Sequence, residues 1–317
     1  MAMKLLRLKL IPVTAWATPW QADTLLGMLA AVYGRVRGPD RLEEDLLTPW
    51  RRGEPPFVVS DAFPGDLLPA PASLTLWPWP DTERRQVKRT EWLSPAQFAA
   101  VQSGRQPSLT EIASPPFRSW LRIRNTLNRT SNATGDAGSL YEVPVTLLSK
   151  QYSYLSLYIK VEPDKEKLFG EALSFLADSG FGADTSVGQG HFRILENSGD
   201  VNWLSSAEHA DAWISLSTFQ PASHDPTIGY WQSFVKYGKL GPQFGIDNVF
   251  KKPQWMLRSG ACFRQGGVPK DRYGRLIDTG DLLPQSVLAQ LASKNVRPVH
   301  PAFALAVPMK WAEEYRQ

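Results

Sequence analysis

The chain has 317 residues, of which 43% are hydrophobic and 21% charged, so it can fold around a sizeable core and is not a disordered protein. Its net charge of +4 permits a polyanionic partner without requiring one. No stretch reaches the roughly 18 consecutive apolar residues of a membrane span. The single cysteine, Cys262, excludes an internal disulfide and a cysteine zinc site, and no signal-peptide pattern opens the chain, so a cytoplasmic protein is expected.

The first part of the chain predicts a strand, a helix and a second strand. Residues 3–13 alternate basic and apolar side chains, as a strand with one buried face does. A helix follows, with Asp23 as its candidate cap and Gly34 at its end. Phe57–Ser60 is predicted to be a short strand.

A proline-rich insertion and a hairpin are predicted next. The proline density of residues 65–120 predicts loops with one short helix near 94–103. The hairpin arms are Arg118–Asn125 and Leu140–Leu148, joined by a tip around 130–139 that is rich in Gly, Ser and Asn.

A second strand–helix–strand pattern starts at residue 150. Residues 150–161 alternate as a strand, a helix begins at Pro163, and His191–Leu195 is the next strand. The two occurrences of this pattern predict two similar α+β units in tandem. Residues 211–310 are predicted to form several short strands separated by Gly and Pro.

A glycine-rich loop separates this helix from the strand after it, with glycines at Gly180, Gly182, Gly188 and Gly190. Glycine allows positive φ, and successive amides in such a loop can hold a phosphate. A dinucleotide fingerprint is excluded because a strand follows instead of a helix, and a P-loop is excluded because its Gly-Lys-Ser/Thr end is absent. Two interpretations stay open: a loop that binds a nucleic-acid backbone, and a tight structural connection.

The predicted hairpin has an uneven charge distribution. Between Glu111 and Asp136 there is no acidic residue, and the arginines are Arg118, Arg122, Arg124 and Arg129. Arginines without acidic partners, beside polar residues, predict contact with phosphates and sugars; a solvated face is the alternative. The polar neighbours are Asn125, Asn128, Thr130 and Ser131.

Residues 229–275 are also basic, with nine Lys or Arg against two Asp, and aromatic residues are interleaved among them. This composition suits single-stranded RNA, because bases stack on rings while phosphates meet cations. At least half of these aromatic residues are expected to be structural.

No catalytic pattern is evident in the sequence. The histidines fit no metal-hydrolase motif, and Asp61, which follows a strand, has no partner near it in sequence. His191 is either an RNA contact or an ordinary hydrogen-bonding residue. We therefore expect no enzyme activity, no metal and no cofactor. The histidines are His191, His209, His224 and His300.

Together these segments resemble the RAMP superfamily of CRISPR proteins and, within it, the fourth-subunit family of the type III-A Csm complex. The resemblance covers nearly the whole chain. It is carried by Trp20–Gly27, Phe57–Pro64, Arg124–Thr130 with Gly138–Tyr141, Gly180–Phe192, Lys251–Phe263 and His300–Pro308, in that order. Two positions depart from the family pattern: Asn128 replaces the usual Asp, and Ala183 replaces a glycine.

The resemblance implies an α+β fold of two tandem ferredoxin-like (RRM-like) RAMP domains, at residues 1–149 and 150–317. The first domain would carry the insertion and a β-hairpin thumb, at about 65–148. It also implies a non-catalytic subunit for antiviral defence that binds the 5′ handle of the CRISPR RNA (crRNA). Its partners would be the large polymerase-like subunit and a backbone RAMP subunit, with target RNA contacted only indirectly.

We expect the glycine loop to hold the handle through its amides, the hairpin arginines to pair with phosphates, and the thumb to separate handle from guide. The expected RNA-binding residues are Arg122, Arg124, Asn125, Asn128, Arg129, Thr130, Gly180, Phe181, Gly182, Ser186, Gly188, Gly190 and His191. Three alternatives stay open: a RAMP endoribonuclease that processes crRNA precursors, the equivalent subunit of a Cmr-type complex, and a structural protein that binds no nucleic acid.

Overall fold

The computed structural model describes residues 3–109, 114–128, 130–131, 133–134, 140–195, 201–205, 209–241, 244–246, 250–266, 269–293 and 297–312. Up to the hairpin, its elements are β1 (Lys4–Pro12), α1 (Ala22–Arg37), α2 (Pro39–Leu42), α3 (Thr48–Arg51), β2 (Phe57–Pro64), β3 (Leu68–Pro69), α4 (Asp81–Val87), β4 (Trp92–Leu93), α5 (Pro95–Gln102), β5 (Phe117–Asn125), β6 (Leu127–Asn128), β7 (Ala133–Thr134) and β8 (Leu140–Leu148).

The remaining elements are β9 (Leu155–Val161), α6 (Glu166–Ser179), β10 (Phe192–Leu195), β11 (Ala212–Ser215), β12 (Gly229–Tyr230), β13 (Ser233–Lys236), β14 (Gln254–Leu257), β15 (Cys262–Arg264), β16 (Arg272–Ile277), α7 (Thr279–Leu282), α8 (Gln285–Ser293) and β17 (His300–Met309). A π-helical turn lies at Glu43–Leu47, and 3₁₀ turns lie at Ala72–Leu76, Pro163–Lys165, Thr185–Val187 and Asn202–Ser205. Within the described residues, no helix is both long enough and apolar enough to cross a bilayer.

The first sheet has the order β10–β1–β9–β2 and is antiparallel throughout. Its strands and the helices α1 and α6 follow one another as strand–helix–strand–strand–helix–strand, which is the ferredoxin-like topology. The apolar stripe of α6 is buried as its helical spacing predicts, and α6 packs against α1. The predicted mixed helix and strand content is confirmed.

The predicted domain boundary between residues 149 and 150 requires correction. β1 pairs with β9 across it, from Lys4 with Val161 to Leu10 with Leu155. The two strand–helix–strand segments are therefore the halves of one sheet rather than two tandem units. Residues 65–149 form an insertion between the second and third strands of that sheet.

Inside the insertion, the hairpin and one helix are confirmed. β5 pairs with β8 without interruption, from Phe117 with Leu148 to Asn125 with Leu140. α5 starts at a capping box in which the Ser94 hydroxyl accepts from the Gln97 amide and the Gln97 side chain accepts from the Ser94 amide. The short helix α4 was not predicted, because its seven residues are mostly charged and show little apolar periodicity.

The second sheet has the order β12–β15–β11–β17–β16 and is also antiparallel. If its four main strands β11, β15, β16 and β17 are numbered 1 to 4 along the chain, their order across the sheet is 2-1-4-3. A ferredoxin-like sheet has the order 4-1-3-2. The described residues thus contain one ferredoxin-like sheet and not the predicted second one. The reason is that the described part of the segment between β11 and β15 carries the two-stranded ribbon of β13 and β14 instead of a crossover helix.

Hydrogen bonds of Asp61 and Ser217 join the two sheets. The Asp61 carboxylate in β2 accepts from the Ala22 amide and from both the amide and the hydroxyl of Thr218, each at 2.8 Å. The Ser217 hydroxyl donates to the Val59 carbonyl at 2.6 Å. Burial raises the pKa of Asp61, although these hydrogen bonds act in the opposite direction. Asp61 is thus a structural link between β2, α1 and the second sheet.

A candidate nucleic-acid interface

One face of the hairpin carries arginines, as the alternation of the strand requires. The register of β5 against β8 places on this face Arg118, Trp120, Arg122 and Arg124, opposite Leu147, Val145, Val143 and Tyr141. Arg118 and Arg122 are exposed, and neither forms an ion pair with a residue that the structure describes. The other face exposes the apolar side chains of Leu121 and Ile123. The hairpin therefore presents unpaired cations on one side, and on the other it exposes these apolar side chains beside the carboxylate of Glu142, which lies opposite Ile123.

Arg124 brings the hairpin and the glycine-rich loop together. Its Nη1 lies 3.4 Å from Oδ2 of Asp184, and its side chain is only 19% exposed. The sequence suggested an arginine ladder without acidic partners, and for Arg124 this is wrong. The partner comes from a loop 60 positions away, beyond the acid-free window of the hairpin. The ion pair places two separately predicted RNA-binding segments side by side.

The base of the glycine loop is a tight structural connection. Gly190 has φ of +73°, and a Cβ there would lie 1.9 Å from the Phe181 carbonyl oxygen. At Gly182, with φ of +88°, a Cβ would lie 2.6 Å from that of Thr18. The Phe181 ring is fully buried and stacks on Trp20 with a centroid distance of 4.0 Å. Glycine is required here for close packing within the protein.

Most amides of this loop donate within the protein. Phe181 donates to the Gly190 carbonyl and Gly190 to the Ala15 carbonyl, each at 2.8 Å, and the amide of Ala183 donates to the Thr18 hydroxyl at 2.9 Å. The His191 amide donates to the Thr14 hydroxyl at 3.0 Å. The expected holding of RNA by a row of loop amides therefore does not fit this geometry, because these donors are already engaged.

The predicted site residues separate by exposure. Those exposed are Arg122, Asn125, Thr130, Ser186 and Gly188. Those partly buried are Arg124, Gly182 and His191. Those buried are Gly180, Phe181 and Gly190, so their predicted contact with RNA requires correction to a packing role. Arg129 and the side chain of Asn128 lie outside the described residues. The accessible part of the predicted site is thus the arginine face and the tip of the loop.

An ionic cluster surrounds the buried carboxylate of Asp23, and we call it the Asp23 cluster (Asp23, Lys236, Lys251 and His300). Lys236 Nζ donates to both carboxylate oxygens of Asp23, at 2.8 and 2.7 Å, and to Gln21 Oε1 at 2.8 Å. His300 Nε2 lies 2.8 Å from Asp23 Oδ2, and Lys251 Nζ lies 3.1 Å from His300 Nδ1. The cluster ties the start of α1 to β13 and β17.

The Asp23 cluster was missed by the sequence analysis, which assigned Asp23 as a helix cap. The N-cap of α1 is Gln21, and Asp23 lies buried in the first turn, while the helix continues past Gly34 to Arg37. Lys236 is 213 positions from Asp23, so no local pattern connects them. The one available signal in the sequence was that Asp23 lies on the apolar face of the predicted helix, where an acidic residue needs a partner.

Charges within the Asp23 cluster shift the pKa values of its members. Burial by itself raises the pKa of Asp23, but the ammonium of Lys236 and the contact with His300 hold it well below its usual range. Burial lowers the pKa of His300 and lowers that of Lys251 to about 8. A neutral His300 fits the geometry, because its Nδ1 can then accept from the Lys251 ammonium. The cluster is consistent with a structural role.

Comparisons with known proteins identify the fold. No family model matches the chain, and no curated protein matches it in sequence. Among solved structures, a chain of the Csm1–Csm4 cassette in complex with pppApA has 16% identity over 98% of both chains, with a TM-score of 0.59. A chain of the same cassette in complex with cA3 has 15% identity over 98% of both chains and a TM-score of 0.60.

A chain of the Csm3–Csm4 subcomplex in the type III-A CRISPR-Cas interference complex is 12% identical to this one. The match covers 96% of this chain and 99% of the other, with a TM-score of 0.59. At these identities the likeness shows a shared fold. The shared fold is that of chains from Csm assemblies, which is the group that the sequence motifs resemble. The predicted resemblance is therefore confirmed at the level of the fold.

Proposed function

We propose that this chain is a structural, RNA-binding subunit of a type III-A CRISPR (Csm) effector complex that holds the 5′ handle of crRNA. One observation carries the proposal. The arginine face of the hairpin meets the glycine-rich loop at the pair of Arg124 and Asp184, within a fold shared along nearly the full length of chains from Csm assemblies.

The chemistry of the hairpin supports contact with an RNA backbone. Arginine presents a planar fork of donors that suits phosphate oxygens, and Arg118 and Arg122 have no competing ion pair with a described residue. Arg124 is held by Asp184, so its guanidinium is fixed in position while part of its donor set stays available. Ser186 and Gly188, at the tip of the loop, are exposed and follow Asp184 closely in sequence. We propose that they contact sugars or phosphates.

The opposite face of the hairpin supports a role as a thumb. Leu121, Ile123 and Leu140 expose apolar side chains, and Leu121 and Ile123 occupy positions that alternate with the arginines. We propose that the hairpin projects between handle and guide, with arginines on the phosphates and apolar side chains against unstacked bases. Arg129 lies outside the described residues, and its contact with a phosphate stays a prediction.

The partners follow from the assemblies that share the fold. Those chains come from Csm1–Csm4 and Csm3–Csm4 assemblies, and we propose corresponding contacts here with a large polymerase-like subunit and a backbone RAMP subunit. Target RNA would be met indirectly, through the guide. We propose that the chain itself is not an enzyme and takes no cofactor, as the sequence analysis expects. Of the sheets that the structure describes, only the first has the ferredoxin-like strand order.

The test is to express the chain with its genomic neighbours, capture it through a tag, and sequence the RNA that accompanies it. Reads with a uniform repeat-derived 5′ end, together with a co-purifying large subunit, support the proposal. A chain captured alone without RNA would contradict it, and cleaved repeat products without an assembly would favour the endoribonuclease.

A pair of variants makes this test specific to the hairpin. Arg118→Ala/Arg122→Ala removes two exposed hairpin cations and should deplete the captured RNA. Arg35→Ala/Arg52→Ala removes the same charge from exposed positions in α1 and after α3, and should leave the RNA unchanged. Equal RNA recovery from both double variants would refute the hairpin as the handle contact.

A further inference from the structure

A row of stacked aromatic rings crosses the face of the second sheet that is turned away from the main hydrophobic core. Tyr273 stacks on Trp213 with centroids 3.9 Å apart, Trp213 stacks on Phe263 at 4.9 Å, and Phe263 stacks on Trp231 at 5.4 Å. The planes of neighbouring rings differ by 4°, 25° and 13° along the row. The row therefore has a regular, nearly parallel arrangement.

The sheet register creates this row. Trp213 of β11 lies directly opposite Phe263 of β15, and Gly229 of β12 lies opposite Phe263 on the other side. A Cβ at Gly229 would lie 2.8 Å from the Phe263 ring and 2.3 Å from the Cys262 carbonyl oxygen. The absence of a side chain there leaves room beside Phe263 for the ring of Trp231 to stack.

Trp231 is the solvent-exposed end of the row. Tyr273, Trp213 and Phe263 are buried, whereas Trp231 is 40% exposed. Because its ring is supported by Phe263, it is a flat apolar surface that is already oriented before any ligand arrives. A planar ligand stacked on it would extend the row without ordering a mobile side chain.

Cations lie on the segments next to Trp231. The Arg258 amide donates to the Gln232 carbonyl at 2.9 Å, and its exposed guanidinium lies 4.5 Å from the centroid of the Phe234 ring. Arg258 forms no ion pair with a residue that the structure describes. The Arg264 amide donates to the Ile228 carbonyl at 2.8 Å, and the one ion pair of its side chain with a described residue is a long contact of 4.0 Å with Asp211.

The ribbon beside Trp231 is also connected to the glycine loop. Lys236 of β13 donates to Gln21, and Thr18 in the same connection accepts from the Ala183 amide in the loop. The segment between β1 and α1 thus contacts both the loop and the ribbon that begins two residues after Trp231. Residues 229–275 contain nine lysines or arginines and two aspartates. This excess of positive charge favours a polyanion over an apolar protein as the ligand of this surface.

We propose that Trp231 is a stacking site for a nucleobase of single-stranded RNA, with Arg258 on the adjacent phosphate. The inference rests on the proposed RNA-binding function and extends the RNA surface from the hairpin and loop to the second sheet. The base stacks on the exposed face of the indole, and this contact is independent of base identity because every base has a π-face.

The experiment measures binding of the full-length chain to two fluorescein-labelled single-stranded RNAs by anisotropy. One is a 16-nucleotide strand of mixed sequence, and the other is an abasic strand with the same number of phosphates. Trp231→Leu should bind the base-bearing strand about 5- to 150-fold more weakly and the abasic strand as wild type does. Trp231→Phe, which keeps a flat ring, should recover most of the loss.

Two further variants separate stacking from charge. Arg258→Ala should weaken binding to both strands and lower the slope of log K against log salt by about 0.7, whereas Trp231→Leu should leave that slope unchanged. Trp255→Leu is the control: its exposure is similar at 46%, but no stacked ring supports it among the described residues. It should bind both strands as wild type does, and thermal unfolding should show all variants folded.

Wild-type affinity of Trp231→Leu for the base-bearing strand overturns the inference. So does an equal loss on the abasic strand, or an equal loss in Trp255→Leu. If binding still depends on Arg118 and Arg122 in that case, the proposed function stands and only the stacking site fails. A wild-type chain that binds neither strand would overturn both.

Discussion

The Asp23 cluster and the arginine face of the hairpin use the same kinds of charge in opposite surroundings. In the cluster, two lysines and a histidine surround one carboxylate that is out of contact with solvent. On the hairpin, Arg118 and Arg122 are exposed and form no ion pair with a described residue. A buried charge must be neutralised inside the protein, whereas an exposed, unpaired one is available to a ligand.

Arg124 lies between these two situations. It belongs to the arginine face by register, yet it is mostly buried and paired with Asp184. Such a residue holds two surface segments together. The comparison thus separates cations that maintain the fold, cations that position a surface, and cations that are free to bind.

The largest effect is expected from the buried carboxylate. Asp23→Asn should lower the free energy of unfolding by about 3–5 kcal/mol, because it leaves the largely buried ammonium of Lys236 without its counter-charge. Urea unfolding measures this, with the exposed Asp40→Asn as control, which should change stability by less than about 0.5 kcal/mol. Equal stability of the two variants would remove the distinction between the regions.

The glycine loop contains both a buried position and an exposed position within one segment. Gly190→Ala should lower the free energy of unfolding by about 2–4 kcal/mol, because its Cβ would overlap the Phe181 carbonyl and φ is positive. Gly188 has φ of +86° but open space around its Cβ, so Gly188→Ala should lose only about 1 kcal/mol. Similar losses of unfolding free energy in both variants would contradict the distinction between a packed base of the loop at Gly190 and an exposed tip at Gly188.

Lys251 predicts a pH dependence of stability. Its pKa of about 8 in the folded state is below the ordinary lysine value of 10.5, so between these two pH values the unfolded chain binds more protons. Stability should therefore rise from pH 8 to 10.5, by up to about 3 kcal/mol, relative to Lys251→Met. Urea unfolding of both proteins at pH 7.5, 9 and 10.5 tests this. Parallel pH profiles would show that Lys251 is not a desolvated cation.

The smallest effect on stability is expected at the hairpin. The expected effect there is on the salt dependence of RNA binding. Arg118→Ala/Arg122→Ala should change the free energy of unfolding by less than about 0.5 kcal/mol. It should reduce the salt slope of single-stranded RNA binding by about 1.4, as expected for two lost phosphate contacts. Anisotropy titrations at several salt concentrations measure the slope. An unchanged slope would place the hairpin among solvated surfaces.

Much of the local structure was predictable. The hairpin arms were predicted to within one residue, since polar and apolar residues alternate along both, and the buried stripe of α6 followed from its helical spacing. The glycines of the loop do adopt positive φ. Whether such a glycine faces a ligand or the protein interior was not predictable, because the contact at Gly190 is made by the folded loop itself.

The sequence by itself determined the longer strands and helices of the first sheet and the hairpin, because these depend on side-chain periodicity over a few neighbouring residues, whereas α4, α7 and α8 were not predicted. Only the tertiary structure decided that β1 pairs with β9, that Asp23 meets Lys236, and that Arg124 meets Asp184. These contacts join positions between 60 and 213 residues apart, where no local pattern specifies a partner. Burial of apolar strands and the need to neutralise a buried carboxylate select them once the chain is folded.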